Sequence, residues 1–353
     1  MPLPLLFSGA VILIVFGMSL GIATYSTWAE RKVAAFMQDR SGPNRAGWGG
    51  LLQPLADAGK MFFKEEFFPA TANRALFVIG PCVAMITACM AWAVIPFGDR
   101  IIIDGIPYLV QATEVNIGML YIFGVVSLGV YGLMIGGWAS NNKFSLLGAI
   151  RAASQNISYE LAMGLSLIAL LMMTQTLSLR EIADQQSSGG WNILYQPLGF
   201  IIFLICAFAE TNRTPFDLPE CETELVGGYH TEYSSMKLGL YLFAEYVNIF
   251  VASAVMSTLY FGGFNFPFIV EVRAALIDQF GVTVGTNITT ALSIGALFTK
   301  IILFIFFFMW VRWTLPRFRY DQLMHLGWKI LLPLSILNIV ATGAVILIKQ
   351  ELF

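Results

Sequence analysis

Four ionisable residues stand inside otherwise apolar runs of this chain: Glu160, Glu210, Glu245 and Lys300. A charge in hydrocarbon costs on the order of a few kcal/mol on insertion scales, so such a group faces a bundle interior or water and marks an ion or proton path. Glu245 lies eight residues beyond Lys237, roughly 12 Å along a helix, out of comfortable reach of bulk water. Lys300 lies twelve residues before Arg312, roughly 18 Å by the same rise, near mid-membrane. Glu160 and Glu210 are closer to their helix ends, where interfacial carboxylates are the alternative reading.

The stretch after Glu210 extends the same chemistry. Residues 209–234, AETNRTPFDLPECETELVGGYHTEYS, hold Glu210, Asp217, Glu220, Glu222, Glu224 and Glu232 against Arg213 alone. Pro215 and Pro219 break the helix, Glu220 and Glu224 then fall four apart on one face, and Gly227–Gly228 permits a sharp turn. Crowded carboxylates cannot all ionise at once, so some should titrate well above their ordinary range and hold or release protons near neutral pH. A solvated acidic loop is the alternative. Against it, the stretch lies on the side where basic residues usually gather, and it adjoins intramembrane acids.

The elements that must position these groups are spanning helices. Of the 353 residues, 57% are hydrophobic and only 12% charged, against roughly 25% charged in a soluble domain; a soluble enzyme is excluded. Apolar runs of about 20 residues, the length that crosses about 30 Å of hydrocarbon, occur near residues 4–27, 75–97, 115–138, 157–177, 195–210, 237–261, 289–311 and 328–348. The fold class is therefore all-α, a polytopic membrane protein with eight transmembrane helices in a single membrane domain, 1–353. No Lys or Arg precedes the first run, while Glu30, Arg31 and Lys32 follow it, a pattern that keeps a helix in the membrane with its N-terminus outside.

Basic residues set the sidedness. Fifteen of the twenty Lys and Arg residues fall in or beside the inner connections 28–74, 139–156, 211–236 and 312–327, whereas the outer connections and the C-terminus hold Arg100, Arg180, Arg273 and Lys349. That bias puts both termini on the outer side. The first inner connection also carries an amphipathic surface helix. From Leu51 to Glu66, Gln53, Asp57, Lys60 and Lys64 follow one face, while Leu52, Leu55, Ala56, Phe62 and Phe63 occupy another. Such a helix seals a cavity or lies in the interface; simple packing against its neighbours is the alternative.

Other chemistries are poorly supplied. Cys82, Cys89, Cys206 and Cys221 form no C-x-x-C, the two histidines His230 and His325 lie in polar segments, and no phosphate-cradling glycine motif follows a strand pattern. No metal site is expected on this chain. Electrons for any redox reaction should arrive from a partner.

Several motifs resemble one known family, the H subunit of respiratory NADH:quinone oxidoreductase (complex I), the counterpart of mitochondrial subunit 1. They are AERKVAAFMQDRSGPNRAG at 29–47, GLLQPLADAGKMFFKE at 50–65, SYE at 158–160, TNRTPFDLPECETELVGGYHTEYSSMK at 211–237, AEY at 244–246 and VRWTLPRFRYDQLM at 311–324. The likeness runs from about residue 4 to 350; the long motifs are specific, and SYE and AEY alone would carry no weight.

The resemblance implies a subunit at the junction of the hydrophilic and membrane arms, forming much of the quinone chamber. It assigns Glu30, Arg31, Arg40, the Gly42–Pro43–Asn44 turn, Gln53, Asp57 and Lys60 to the chamber or its approach, and Arg213, Phe216 and Asp217 to the loop between the fifth and sixth spans. Glu160, Glu210, Glu220, Glu222, Glu224 and Glu245 become members of an acidic proton relay, with Lys300 a further intramembrane charge. A further acid expected in the third span is missing from 115–138; Glu114 at its end is the possible substitute. The resemblance also implies quinone as substrate, with no cofactor held by this chain alone. Iron–sulfur clusters and FMN belong to partner subunits, among them the one with the terminal cluster, the hydrophilic quinone-site subunit and small membrane subunits. Lipid surrounds the chain, and nucleic acid has no part. The location implied is the bacterial plasma membrane, with the mitochondrial inner membrane as alternative. A related membrane subunit of a membrane-bound hydrogenase or another reductase is the closest alternative function. A stand-alone proton-coupled transporter would be expected to show two similar halves, and none are visible.

Overall fold

Backbone groups in hydrocarbon have no water to bond, so the apolar runs are satisfied internally as helices. The computed structural model describes residues 3–352. Its main helices are α1 (Leu3–Met37), α2 (Gln53–Phe63), α3 (Arg74–Ala91), α4 (Gly118–Ala139), α5 (Lys143–Thr174), α6 (Leu179–Gly189), α7 (Pro197–Glu210), α8 (Ser235–Tyr260), α9 (Ile269–Phe280), α10 (Val282–Thr314) and α11 (Leu332–Leu352). Among the described residues, seven helices are long and apolar enough to cross a membrane: α1, α3, α4, α5, α8, α10 and the one that ends in α11. The remaining expected span is α7, whose 14 residues rise only about 21 Å.

The connections that follow α1, α4 and α10 are shorter than the hydropathy pattern suggests, because the helices continue past the apolar runs. Helix α1 has 35 residues, about 52 Å, so Glu30 and Arg31 are helical rather than in a loop. Asn142 caps α5 by accepting from the Phe144 N–H at 2.9 Å, and the span therefore starts well before residue 157. Helix α10 runs to Thr314 and stops before Pro316, which cannot continue it. The last span begins as a short helix, Tyr320–His325, and widens to a π-turn over Leu326–Leu331. That widening comes just ahead of Pro333, whose missing N–H and ring a regular helix would not accommodate.

On the opposite side, the connections hold structure of their own. An antiparallel hairpin pairs β1 (Arg100–Ile103) with β2 (Ile106–Leu109), turning at Asp104 and Gly105 with φ of 51° and 79°, as a two-residue hairpin turn requires. Asn287 of α10 accepts from Ile102 N–H at 2.7 Å and donates to its carbonyl at 3.0 Å. Asp99 pairs with Arg273, and its carbonyl accepts from Arg180 at 2.9 Å. Arg180 and Arg273 thus gather with the hairpin at one end of the bundle. Arg213, Arg312 and Arg317 lie at the other, the basic end.

Small residues let the helices close. A side chain on Gly80 or Gly132 would run into the backbone of the facing helix in the α3–α4 pair, the close approach typical of membrane bundles. Tyr241 of α8 uses that approach, donating to the Gly132 carbonyl at 3.0 Å.

Candidate functional site: a buried string of charges at the basic end

Helices α1, α8 and α10 meet around Glu30. Its carboxylate accepts from Tyr246 at 2.9 Å and from Arg213 at 3.4 Å, and it pairs with Arg312. Glu245 and Tyr246 are consecutive on α8, about 100° apart around the axis, so Tyr246 reaches α1 while Glu245 turns to the connection that follows α7. Arg213 stands between them. Its guanidinium lies over the Tyr246 ring at 4.4 Å, and its second nitrogen is 3.5 Å from Glu245. The Tyr229 hydroxyl then lies 3.0 Å from Glu245 and 2.9 Å from Glu220, and His230 closes the string 3.5 Å from Glu220. Gln155 of α5 fastens the connection by donating to the carbonyls of Ala209 and Phe216 at 2.7 and 2.9 Å.

The charges tune one another. Burial opposes the Arg213 cation, but Tyr246, Glu245 and Glu30 outweigh it and keep the group protonated. Burial likewise works against ionised Glu220, yet contact with His230 and Glu245, with the His230 and Arg213 charges, holds it below the ordinary carboxylate range. His230 is held above its ordinary value because Glu220 outweighs the effect of burial. Asp217 is different: burial, then the Glu220 charge, push it up to about 7 against the pull of Arg317, which lies 2.8 Å away.

The sign of the His230–Glu220 linkage follows. Raised His230 stabilises fully below its ordinary 6.5 and loses that contribution as pH rises through the higher folded value. Lowered Glu220 stabilises above its ordinary 4.5 and loses that as pH falls through the lower folded value. Both contributions are complete between those two ordinary values. His230→Gln is expected to speed backbone amide exchange in the 211–234 connection about tenfold at pH 5.5, with the difference from wild type narrowing by pH 9. An equal difference at both pH values would show that His230 acts there by packing alone.

Beyond Glu245 a small cavity of about 40 Å³ lies among α3, α4, α5 and α8, lined in part by Asn156, Glu210, Tyr229, Glu245 and Asn248. A second, more apolar cavity, also of about 40 Å³, shares Val126, Glu210, Thr211 and Asn248 with the first. Glu210 therefore stands on a wall common to both. Glu160 pairs with Ser127 of α4.

Not every residue singled out from sequence joins this string. Glu224 pairs with Arg151 at 2.6 Å on the surface; the helix there spans only Glu222–Leu225 and excludes Glu220, so the four-residue spacing does not place Glu220 and Glu224 on one face. The side chain of Glu222 lies outside the described residues. Phe216 is buried between Tyr159 and Phe318, ring centroids at 5.3 and 5.4 Å. Asp57 of α2 accepts from Arg31 at 2.7 Å and from Gln53 at 3.0 Å. Lys60 is exposed, and exposed Arg40 donates to Gln38 at 2.8 Å. The apolar residues Leu52, Leu55, Phe62 and Phe63 of this segment face outward.

Lys300 is apart. Its ammonium donates to the carbonyls of Phe261, Gly263 and Asn265 at 2.7, 2.8 and 2.5 Å, saturating its three protons at the C-terminal end of α8. That end is fifteen residues from Glu245, about 22 Å. Glu114 is exposed ahead of α4 at the hairpin end; the α4 side chain that meets an acid is Ser127. Tyr229, Tyr246 and Ser127 escape a reading for intramembrane charge because hydroxyls carry none. Arg312 is visible within VRWTLPRFRYDQLM.

Spanning helices around a buried string of acids, arginines and tyrosines define an all-helical polytopic membrane protein. The chain belongs to the NADH dehydrogenase family, whose profile matches residues 9–343. It is 66% identical over 337 residues to the NADH-quinone oxidoreductase H subunit of Flavobacterium johnsoniae, covering 96% of this chain and 94% of the relative. An H subunit of the same enzyme from Cytophaga hutchinsonii is 65% identical, with 96% of each chain covered, and one from Geobacter sulfurreducens is 46% identical, over 97% of this chain and 95% of its own.

Proposed function

We propose that this chain is the membrane subunit of a proton-translocating NADH:quinone oxidoreductase, in which it forms part of the quinone chamber and passes the effect of quinone reduction into the membrane. The observation that carries the reading is the continuous string from Arg312 through Glu30, Arg213, Glu245 and Tyr229 to Glu220, together with the names of the relatives. The string links a polar connection at the basic end with acids inside the bundle. In this reading Glu30, Arg31, Arg40, Gln53, Asp57, Lys60, Arg213, Phe216 and Asp217 serve the chamber or its approach. Glu160, Glu210, Glu220, Glu222 and Glu245 serve the relay, Glu224, paired with Arg151, flanks it, and Lys300 supports the fold. Electrons reach quinone from an iron–sulfur cluster of a partner subunit. A change of charge in the chamber moves protons along the string by altering the balance between Arg213 and its two carboxylates. The basic end faces inward across the bacterial plasma membrane, with both termini outside.

Asp57 gives the test. It is partly exposed and anchors α2 to α1 through Arg31, so reversing its charge disturbs the chamber approach without opening the core. Asp57→Arg is expected to lower quinone-linked turnover severalfold while NADH oxidation with a hydrophilic artificial acceptor stays at the wild-type rate in membranes of equal complex content. Equal loss of both activities would show that α2 serves assembly rather than quinone.

A further inference from the structure

Tyr229 is fully buried, with its hydroxyl between Glu220 of the connection and Glu245 of α8, at 2.9 and 3.0 Å. A phenol has one proton to donate. Two ionised carboxylates at those distances cannot both be satisfied by it: one receives the proton, and the other faces a lone pair at hydrogen-bonding distance, a repulsive contact in a buried site. The arrangement is fully bonded when one carboxyl carries a proton and donates to the phenol oxygen while the phenol donates to the other. Two such states exist and are mirror images, one with the proton on Glu220 and one with it on Glu245.

We infer that Tyr229 is the proton bridge between the acidic connection and the first intramembrane acid. The step is a paired shift. A proton held on Glu220 passes to the Tyr229 oxygen as the Tyr229 proton passes to Glu245. One O–H bond breaks on Glu220 and one forms on Glu245, Tyr229 begins and ends neutral, and no electrons change hands. Burial, with both carboxylates, holds Tyr229 well above its ordinary value, so it conducts without ionising. The surroundings favour this use. Glu220 has His230 at 3.5 Å and Glu245 has Arg213 at 3.5 Å, so each carboxylate has a basic neighbour of its own on the side away from Tyr229. Beyond Glu245 the polar cavity reaches Glu210. The ring is held by edge contacts with Tyr241 and His230, both with centroids at 5.2 Å, so the hydroxyl stays in place while its proton turns.

This inference rests on the relay reading above and is separable from it. In the assembled complex, Tyr229→Phe keeps the ring and its packing but removes the bridge. Quinone-linked turnover and proton translocation are expected to fall about tenfold together, with artificial-acceptor activity unchanged. Adding Glu245→Gln is expected to cost nothing beyond Glu245→Gln alone, because both changes cut one path; a role for Tyr229 in packing alone would make the losses add. Wild-type turnover and pumping in Tyr229→Phe, with Glu245→Gln impaired, would overturn the bridge and leave the relay standing. Wild-type coupling in Glu245→Gln would overturn both. Additive losses in the double variant would overturn the bridge alone.

Discussion

Glu245→Gln is expected to leave an assembled complex that oxidises NADH normally with an artificial acceptor and loses tenfold or more of its quinone-linked proton pumping. The side chain is buried on α8 with two partners, Tyr229 at 3.0 Å and Arg213 at 3.5 Å. Glutamine fills the same space, its carbonyl accepting from Arg213 and its amide N–H donating to the Tyr229 oxygen while Tyr229 donates to Glu220, so packing survives. What glutamine cannot do is take up and release a proton. Arg213 keeps Glu30 and Tyr246 as partners, which spares the variant much of the cost, typically about 3–5 kcal/mol, of leaving a buried charge unpaired. The measurement is proton translocation per electron in vesicles, normalised to complex content. Wild-type values for both rate and pumping would remove Glu245 from the relay.

Arg213→Gln should act on both stability and pH dependence. Arg213 is buried between Glu30 and Glu245, and its removal leaves Glu245 without a cation while Glu30 retains Arg312. The loss of one partner of a buried pair typically costs about 3–5 kcal/mol, enough to reduce the amount of assembled complex severalfold. In the molecules that do assemble, Glu220 loses one of the influences that hold it low. Its affinity for protons rises, so a higher pH is needed to ionise it, and the optimum of quinone-linked turnover moves toward higher pH. Arg213→Lys keeps a charge but not the fork that spans two carboxylates; it should restore the wild-type optimum while recovering only part of the assembly. An unshifted optimum in Arg213→Gln would show that this cation does not tune the relay.

Intramembrane charge is legible in sequence because hydrocarbon makes each instance expensive, which is why Glu160, Glu210, Glu245 and Lys300 stand out from their apolar surroundings. The partners of those charges are less legible. Tyr229 and Tyr246 are neutral and amphipathic, and buried tyrosines are common packing residues; only their placement between or beside carboxylates distinguishes them. The i, i+4 pairing of Glu220 with Glu224 does not form because that rule holds only inside a helix, and the helix there is a single turn that starts after Glu220.

Hydropathy and helix rise act locally along the chain, so the membrane-spanning, all-helical class, the approximate positions of the spans and the charges that stand inside the apolar runs follow from the residues in order, whereas the burial of Glu30 does not. Which charges meet is a matter of packing. Glu30 and Arg312 are 282 positions apart, and no local rule relates them. Packing also separates residues that look alike in sequence: Lys300 closes the end of α8 with three carbonyls, whereas Glu245 joins a string of groups able to share protons. The reason is that the cost of a buried charge depends on depth, which sequence reports, while its use depends on the partners that the fold brings within about 3 Å, which sequence does not.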